Sequence, residues 1–460
     1  MQEPEDRKHV GKHAAPPEPV QENDVLRTDA DLYGDEADVP LRPKKKRSAA
    51  PKQTRSKKHP QKKKKASIRS RVNAAMEKPK FRKRRALFEI VRSEEDARFK
   101  TVMIYGHHIA FWPLVVLAAL AIAVVMIFMN NSNISVQQET VTVVGLPSDL
   151  ENYRILVISD LNGRRFGDKQ SALLRTINNQ SYSAVFFLGD MVGKSGDPEP
   201  FYELLEGIPS SKRVYFICGD SDPGPFVDRP RNITGTLSQI VLEDWILGAI
   251  ERGATYVDSP VCLTVGTSNI WITPSTLMNF EAGELTDIWK EQTEAEEDGV
   301  IAGLDADYQT LPMTSYRYRI AQSFYDSLPS MKEDDFYLTL THQPPSDSFI
   351  YASASHSEST GKYLDEPELI LAGHYCGGVW RLPLLGAFYA PDNMMARNGW
   401  FPAQEDVKGL STVGETQIYI TGGLSINSAT PIMAFRLFNQ PEISILTLTA
   451  TLPESMLTVE

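Results

Sequence analysis

The chain has 460 residues, with 48 Lys and Arg against 59 Asp and Glu, and only three cysteines. That length leaves room for more than one domain, and so few cysteines exclude a small disulfide-stapled scaffold. The net charge of −11 hides two opposed parts: residues 1–100 carry 28 basic against 16 acidic side chains, whereas residues 101–460 carry 20 against 43.

Met1–Pro40 is acidic, contains several prolines and is poor in large apolar residues. Basic runs follow at Lys44–Arg47, Lys62–Lys65 and Arg82–Arg85. Too little apolar surface is present to offset chain entropy, so residues 1–100 read as a disordered basic tail, with a short amphipathic helix at Ala86–Lys100. Basic clusters can serve nucleic acid. Here they stand beside an uncharged segment, so they read as flanking charge next to anionic lipid, and no nucleic-acid partner is expected.

Ile109–Met129 is 21 residues without a charge. At about 1.5 Å per residue it spans a hydrocarbon core of roughly 30 Å, which predicts a transmembrane helix within residues 105–129. No small-residue cleavage site follows, so the segment reads as an uncleaved anchor. Lys and Arg crowd its N-terminal side and are absent from Met129–Asn152. The positive-inside rule then predicts a single-pass cell-membrane protein with its N-terminus cytoplasmic and its main domain, residues 139–449, outside. A polar linker at residues 130–138 keeps that domain near the bilayer. Sequons at Asn130, Asn133, Asn179 and Asn232 have meaning only in a eukaryotic secretory pathway.

The domain alternates strand-like and helical runs. Thr140–Val144 reads as its first strand. Crossover helices are expected at Lys169–Asn178, Pro200–Leu205 and Leu237–Arg252. Val261–Val265 and Asn269–Thr273 form a hairpin pattern opening a second sheet, and Asp287–Ser330 is read as helical. Gln417–Thr421, Ala434–Phe438 and Ile443–Leu448 close the chain as strands. Cys218 and Cys262 lie in strand-like runs as small core residues.

Four apolar runs end alike: RILVISD at Arg154–Asp160, AVFFLGD at Ala184–Asp190, RVYFICGD at Arg213–Asp220 and FYLTLTH at Phe336–His342. A fifth, Leu369–Ala372, runs into Gly-His-Tyr-Cys-Gly-Gly. His374 and Cys376 are two apart, so on extended chain they face one side, where a metal can meet both. One aspartate at a strand end is ordinary capping chemistry. Five strand ends that each deliver a metal-ligand side chain point instead to a site beyond the carboxyl ends of an α/β sheet.

As an ordered set these motifs resemble the calcineurin-like metallophosphoesterases, and the run from Trp380 to Pro391 with the closing strands is similar to that family's membrane-associated bacterial branch. The resemblance covers about Thr140 to Leu448. It implies an α/β fold, a two-sheet αββα sandwich, and hydrolysis of phosphate esters by two adjacent metals. Carried over position by position, Asp190 bridges, Asp220, His342 and His374 complete one metal, and Asp160, Asn162 and Cys376 hold the other. Four positions depart from the family pattern. Asn162 and Cys376 stand for ligating histidines, Asp220 for a ligating asparagine, and Ser221 for the histidine that protonates the leaving group.

Asn162 offers a neutral oxygen suited to a hard ion and Cys376 a soft thiolate, so the second position is weakened. Three converging carboxylates without a cation would force one to keep a proton. One divalent ion (Mn, Fe or Zn) is therefore expected. Ser221 has no useful pKa near neutrality, and Asp222 beside it is the candidate substitute acid. The reading is a membrane-anchored metallophosphoesterase with a remodelled site acting on a phosphorylated small-molecule or lipid-linked substrate. The alternative is a pseudoenzyme that binds a phosphorylated ligand. Trp380, Leu382, Leu384 and Leu385 either pack in the core or line the cleft mouth, with Arg381 free to pair with phosphate.

Overall fold

The structure, a computed structural model, describes residues 89–91, 101–104, 107–230, 238–302, 310–356, 362–382, 384–390, 399–404, 406–426 and 435–450. The expected disordered tail falls almost wholly outside these residues. Where Ala86–Lys100 is described, it is a strand rather than a helix. This strand, β1 (Glu89–Val91), pairs antiparallel with β2 (Thr101–Ile104), and β2 with β3 (His107–Ala110). The long helix α1 runs Phe111–Ser132, starting later than residue 105 because β3 occupies the residues before it. It contains no Asp, Glu, Lys or Arg. Among the described residues no helix is long and apolar enough to cross a membrane, so the transmembrane reading rests on the sequence.

The expected linker is shared between the end of α1 and a strand. β4 is Ser135–Thr142, which leaves two residues after α1. Its polar sequence SVQQETVT hides it, but it pairs in parallel along its whole length with the last strand, β21 (Glu442–Thr449). At a sheet edge, ladder hydrogen bonds need no apolar alternation, and only Val141 of β4 is buried.

The fold is mixed α/β. In chain order the remaining elements are β5 (Arg154–Ile158), α2 (Ser171–Asn178), β6 (Ala184–Leu188), α3 (Glu199–Glu206), β7 (Arg213–Ile217), β8 (Phe226–Pro230), β9 (Ser238–Leu242), α4 (Asp244–Glu251), β10 (Ala254–Tyr256), β11 (Val261–Val265) and β12 (Ser268–Pro274). Then follow α5 (Ala282–Ala302), α6 (Thr310–Ser327), β13 (Phe336–Leu340), α7 (Asp347–His356), β14 (Leu369–Ala372), β15 (Arg381–Leu382), β16 (Gly386–Ala387), β17 (Tyr389–Ala390), β18 (Gly399–Trp400), β19 (Gly409–Val413) and β20 (Thr416–Ile420). Leu237–Arg252 is thus a strand followed by a helix. Leu437, in the run read as a closing strand, makes only an isolated bridge to Trp380.

Two six-stranded sheets result, ordered β10-β7-β6-β5-β21-β4 and β11-β12-β13-β14-β20-β19. Side chains alternate across each strand. Ile155, Val157, Phe186 and Leu188 of the first sheet therefore meet Ile270, Leu338, Leu340 and Leu371 of the second in one buried cluster. On the other face of the first sheet, Leu156, Val185, Phe187 and Phe216 pack against Leu173 of α2, Phe201 of α3 and Trp245 of α4. Ile370 and Ile418 of the second sheet pack outward with Ile350 of α7. Strands β5, β6 and β7 run parallel, as do β12, β13, β14 and β20. Being covered on both faces, they read as nearly continuous apolar runs. Cys218 packs beside the first core, but Cys262 is exposed, since β11 is an edge strand.

Glu368 enters β14 with its carboxylate accepting from the Tyr337 backbone N–H at 2.7 Å. Burial pushes its pKa up from 4.5 to about 7. The protonated form therefore favours the fold fully below pH 4.5, and that stabilisation is lost as pH rises through 7. Glu368→Gln is expected to raise stability by on the order of 2–3 kcal/mol at pH 8 and by little at pH 5. Urea melts at the two pH values check this. An equal effect at both would show that Glu368 is not held neutral.

Candidate metal centre

Five parallel strands from the two sheets end at one place. β5 leads to Asp160, β6 to Asp190, β7 to Asp220, β13 to His342 and β14 to His374. Beyond the strand ends the ladder continues between loops. Asp160 N–H donates to the Gly189 carbonyl at 3.1 Å, Asn162 N–H to the Asp190 carbonyl at 2.7 Å, and Gly373 N–H to the His342 carbonyl at 2.9 Å. Asp160, Asn162, Asp190, His374 and Cys376 all have positive φ, between 50° and 69°. Such backbone costs of order 1–3 kcal/mol per residue and persists where surroundings over-determine it. The left-handed turn is what swings each side chain back over the strand ends.

Two sets of ligand atoms, each within 4.8 Å of one another, share one histidine: Asp160, Asp190 and His342, and Asp220, His342 and His374. His342 Nε2 lies 2.9 Å from Asp220 Oδ1 and 3.4 Å from Asp190 Oδ2. His374 Nδ1 lies 3.4 Å from both Asp220 Oδ1 and His342 Nε2. His342 Nδ1 is 2.7 Å from the Leu188 carbonyl. That carbonyl can only accept, so Nδ1 donates to it and Nε2 is the ring atom turned to the site, where a bound ion would take the place of its proton. All of these side chains except Asp220 are buried.

Charge is crowded here. Burial pushes the Asp160 carboxyl up, and His342 only partly offsets it. Burial opposes charge on His342, yet Asp190 and Asp220 hold its pKa well above the ordinary imidazole range. Partial desolvation opposes charge on Asp220, yet its hydrogen bonds to His342 and His374 hold it well below the usual carboxylate range.

The residues fit a divalent ion on an independent observation. Asp190 Oδ1 accepts from the Ser221 backbone N–H at 2.8 Å, but Asp190 Oδ2 is buried without a hydrogen bond, with His342 Nε2 3.4 Å away. An orphaned carboxylate oxygen costs several kcal/mol unless a cation or proton meets it. Close backbone approach protects this arrangement. A Cβ on Gly219 would stand 2.2 Å from Asp190 Oδ1, and one on Gly423 2.6 Å from Asp160 Oδ2.

The remaining expected site residues are placed as follows. Cys376 is fully buried, its Sγ 3.6 Å from Asp160 Oδ1 and 3.4 Å from the His374 carbonyl. Asn162 has a buried Nδ2 with no hydrogen-bond partner. Ser221 meets Asp190 through its backbone N–H. Asp222 Oδ1 accepts from Val192 and Gly193 N–H, both at 2.8 Å, and its Oδ2 from Gly219 N–H at 2.9 Å. With both oxygens accepting from backbone, Asp222 ties the loop after β6 to the loop after β7. Burial, then the charge of Asp190, pushes its pKa up to about 6.

No protein-family model matches the chain, and no curated protein does. Among solved structures, the phosphopantetheinyl hydrolase PptH of Mycobacterium tuberculosis is similar at 11% identity and a TM-score of 0.31. That likeness covers 60% of this chain and 91% of PptH.

Sequence reasoning missed Arg436. It is fully buried, and its guanidinium donates to the carbonyls of Ser425 (3.1 Å), Gly422 (2.8 Å) and Gln440 (3.2 Å). Ser425 N–H in turn donates to the Asp160 carbonyl at 2.7 Å. Arg436 thus pins the turn after β20 against the first ligand loop. Its only sequence signal is a lone cation inside an apolar run.

Proposed function

We propose that the chain is a membrane-anchored, metal-dependent phosphoesterase with a remodelled site, of the calcineurin-like kind that its motifs resemble. The observation that carries this reading is the convergence of Asp160, Asp190, Asp220, His342 and His374 around an unpartnered Asp190 oxygen. One ion of Mn, Fe or Zn is proposed. The two ligand sets share His342, and its single free nitrogen can serve only one position. A divalent ion, when bound, supplies Lewis acidity to a phosphoryl group.

The chain's own residues hold the site open and aligned. Gly219 and Gly423 leave room for the carboxylates, Asp222 fixes two loops, and His342 is set in one tautomer by the Leu188 carbonyl. Ser221 offers no ready proton to a leaving group, and Asp222 beside it is held by three backbone donors. Substrates with good leaving groups therefore suit the site best. The domain is proposed to lie outside the cytoplasm, near the bilayer, and to act on a phosphorylated small molecule or a lipid-linked phosphate.

A second reading is supported by the same departures: a pseudo-phosphoesterase that binds a phosphorylated ligand without turning it over. Purified full-length protein in detergent, given an activated aryl phosphodiester with Mn²⁺ or Zn²⁺, separates the two. Metal-dependent release of the phenol that is lost in Asp190→Asn is the expected result. A protein that binds metal and phosphate but releases nothing would establish the binding reading instead.

A further inference from the structure

Close to the metal turn, the surface carries apolar side chains that neither local conformation nor water favours. Leu384 is fully exposed at the turn between β15 and β16, with Leu385 beside it 64% exposed. Trp400 and Phe401 are each 62% exposed after β17, and Phe438 is 43% exposed. Leu384, Phe401 and Phe438 also sit at positive φ of 68°, 52° and 51°. A turn position of that kind ordinarily takes Gly or Asn, and a large apolar residue there is an outlier. At three such positions the chain has a bulky apolar side chain and holds it in solvent.

Trp400, Phe401 and Phe438 stand on one aromatic base. Phe388 contacts Trp400 at 5.1 Å and Phe401 at 5.0 Å between ring centroids, and Trp380 contacts Phe435 at 5.2 Å. Leu437, next to Phe438, bridges to Trp380, whose carbonyl accepts from Phe388 N–H at 2.8 Å. The base is continuous with the metal turn, since Arg381 donates to the Gly377 carbonyl at 2.9 Å and Asn439 to the Cys376 carbonyl at 2.8 Å.

The same patch is tied to the end of α1. Asn131 Nδ2 donates to the Arg436 carbonyl at 2.8 Å, and Arg436 N–H returns to Asn131 Oδ1 at 3.0 Å. Two residues of extended chain reach at most roughly 7 Å, so Phe438 lies at the level of the last turn of α1. On α1 itself Trp112, Leu117, Leu120, Ile122 and Val124 are each more than half exposed. A lipid surface is the occupant that covers an uncharged helix and an adjoining Leu-Trp-Phe rim together, and Trp prefers that boundary.

We infer that Leu384, Leu385, Trp400, Phe401 and Phe438 form a lipid-docking rim, which seats the metal turn against the bilayer from which α1 emerges. The site is thereby turned toward phosphate carried at the lipid headgroup level. The inference rests on the reading of α1 as the anchor.

The full-length protein, with Cys262→Ser and Cys218→Ala, is reconstituted into vesicles of phosphatidylethanolamine and phosphatidylglycerol. Single nitroxide labels are placed through Leu385→Cys, Trp400→Cys, Leu120→Cys on α1 and Leu247→Cys on α4. Collision with oxygen and with a nickel chelate reads lipid or water around each label. Labels at 385 and 400 are expected to shift toward oxygen over nickel, as at 120, while 247 stays nickel-accessible. Water exposure at 385 and 400 with lipid at 120 overturns the rim and leaves the anchor standing. Water at all four positions overturns both. Shielding of 385 and 400 from both reagents means that protein covers the rim, a second copy first among the candidates, and this also overturns the lipid assignment.

Discussion

Asp190→Asn in the full-length protein is expected to weaken Mn²⁺ and Zn²⁺ binding by at least about 100-fold, the scale of losing one charged ligand from a buried site, while the fold survives. The substitution is nearly isosteric. The asparagine oxygen can keep the 2.8 Å bond from Ser221 N–H, whereas the buried anionic oxygen that meets no donor disappears. Without metal, the variant is expected to melt no lower than the wild type, because one of the converging carboxylates is gone and Asp160 loses a charge that burial already penalises. Calorimetric titration with each ion, beside thermal melts of the ion-free proteins, reads both halves. Unchanged metal affinity would remove Asp190 from the site.

Arg436→Met is expected to cost about 2–4 kcal/mol of stability, since carbonyls of Gly422, Ser425 and Gln440 would lose their buried donor. It should also weaken metal binding, because the turn it pins carries Gly423 against Asp160 and the Ser425 N–H that holds the Asp160 carbonyl. Arg436→Lys, which keeps the charge but has fewer donors, should recover part of the stability. Urea midpoints and metal titration on the two variants measure these effects. A Met variant as stable as the wild type would show that water replaces the guanidinium there.

Much of the site was legible because parallel strands covered on both faces are written as unbroken apolar runs, and Asp160, Asp190, Asp220, His342 and His374 terminate such runs. Only the end of β4 was legible, within Thr140–Val144, for the opposite reason. Its partner β21 lies some 300 residues away in sequence, and an edge strand is free to be polar. The structural part of Asp222 was not legible, because its three backbone donors come from two loops that meet only in the folded chain. The fold alone shows Cys262 exposed and Arg436 buried, each against the habit of its residue type. Trp380 and Leu382 are half-buried while Leu384 and Leu385 project, because a hairpin at β15 and β16 divides the run that sequence treats as one patch.

The five strand ends are expected to hold a divalent cation. Full-length protein purified in detergent, exchanged against millimolar Mn²⁺ or Zn²⁺ and then freed of unbound ion, can be analysed for metal by mass spectrometry. The account predicts about one tightly held ion per chain at the single position that His342 can serve, lost in Asp190→Asn. A wild-type protein that retains no ion under both conditions would contradict it.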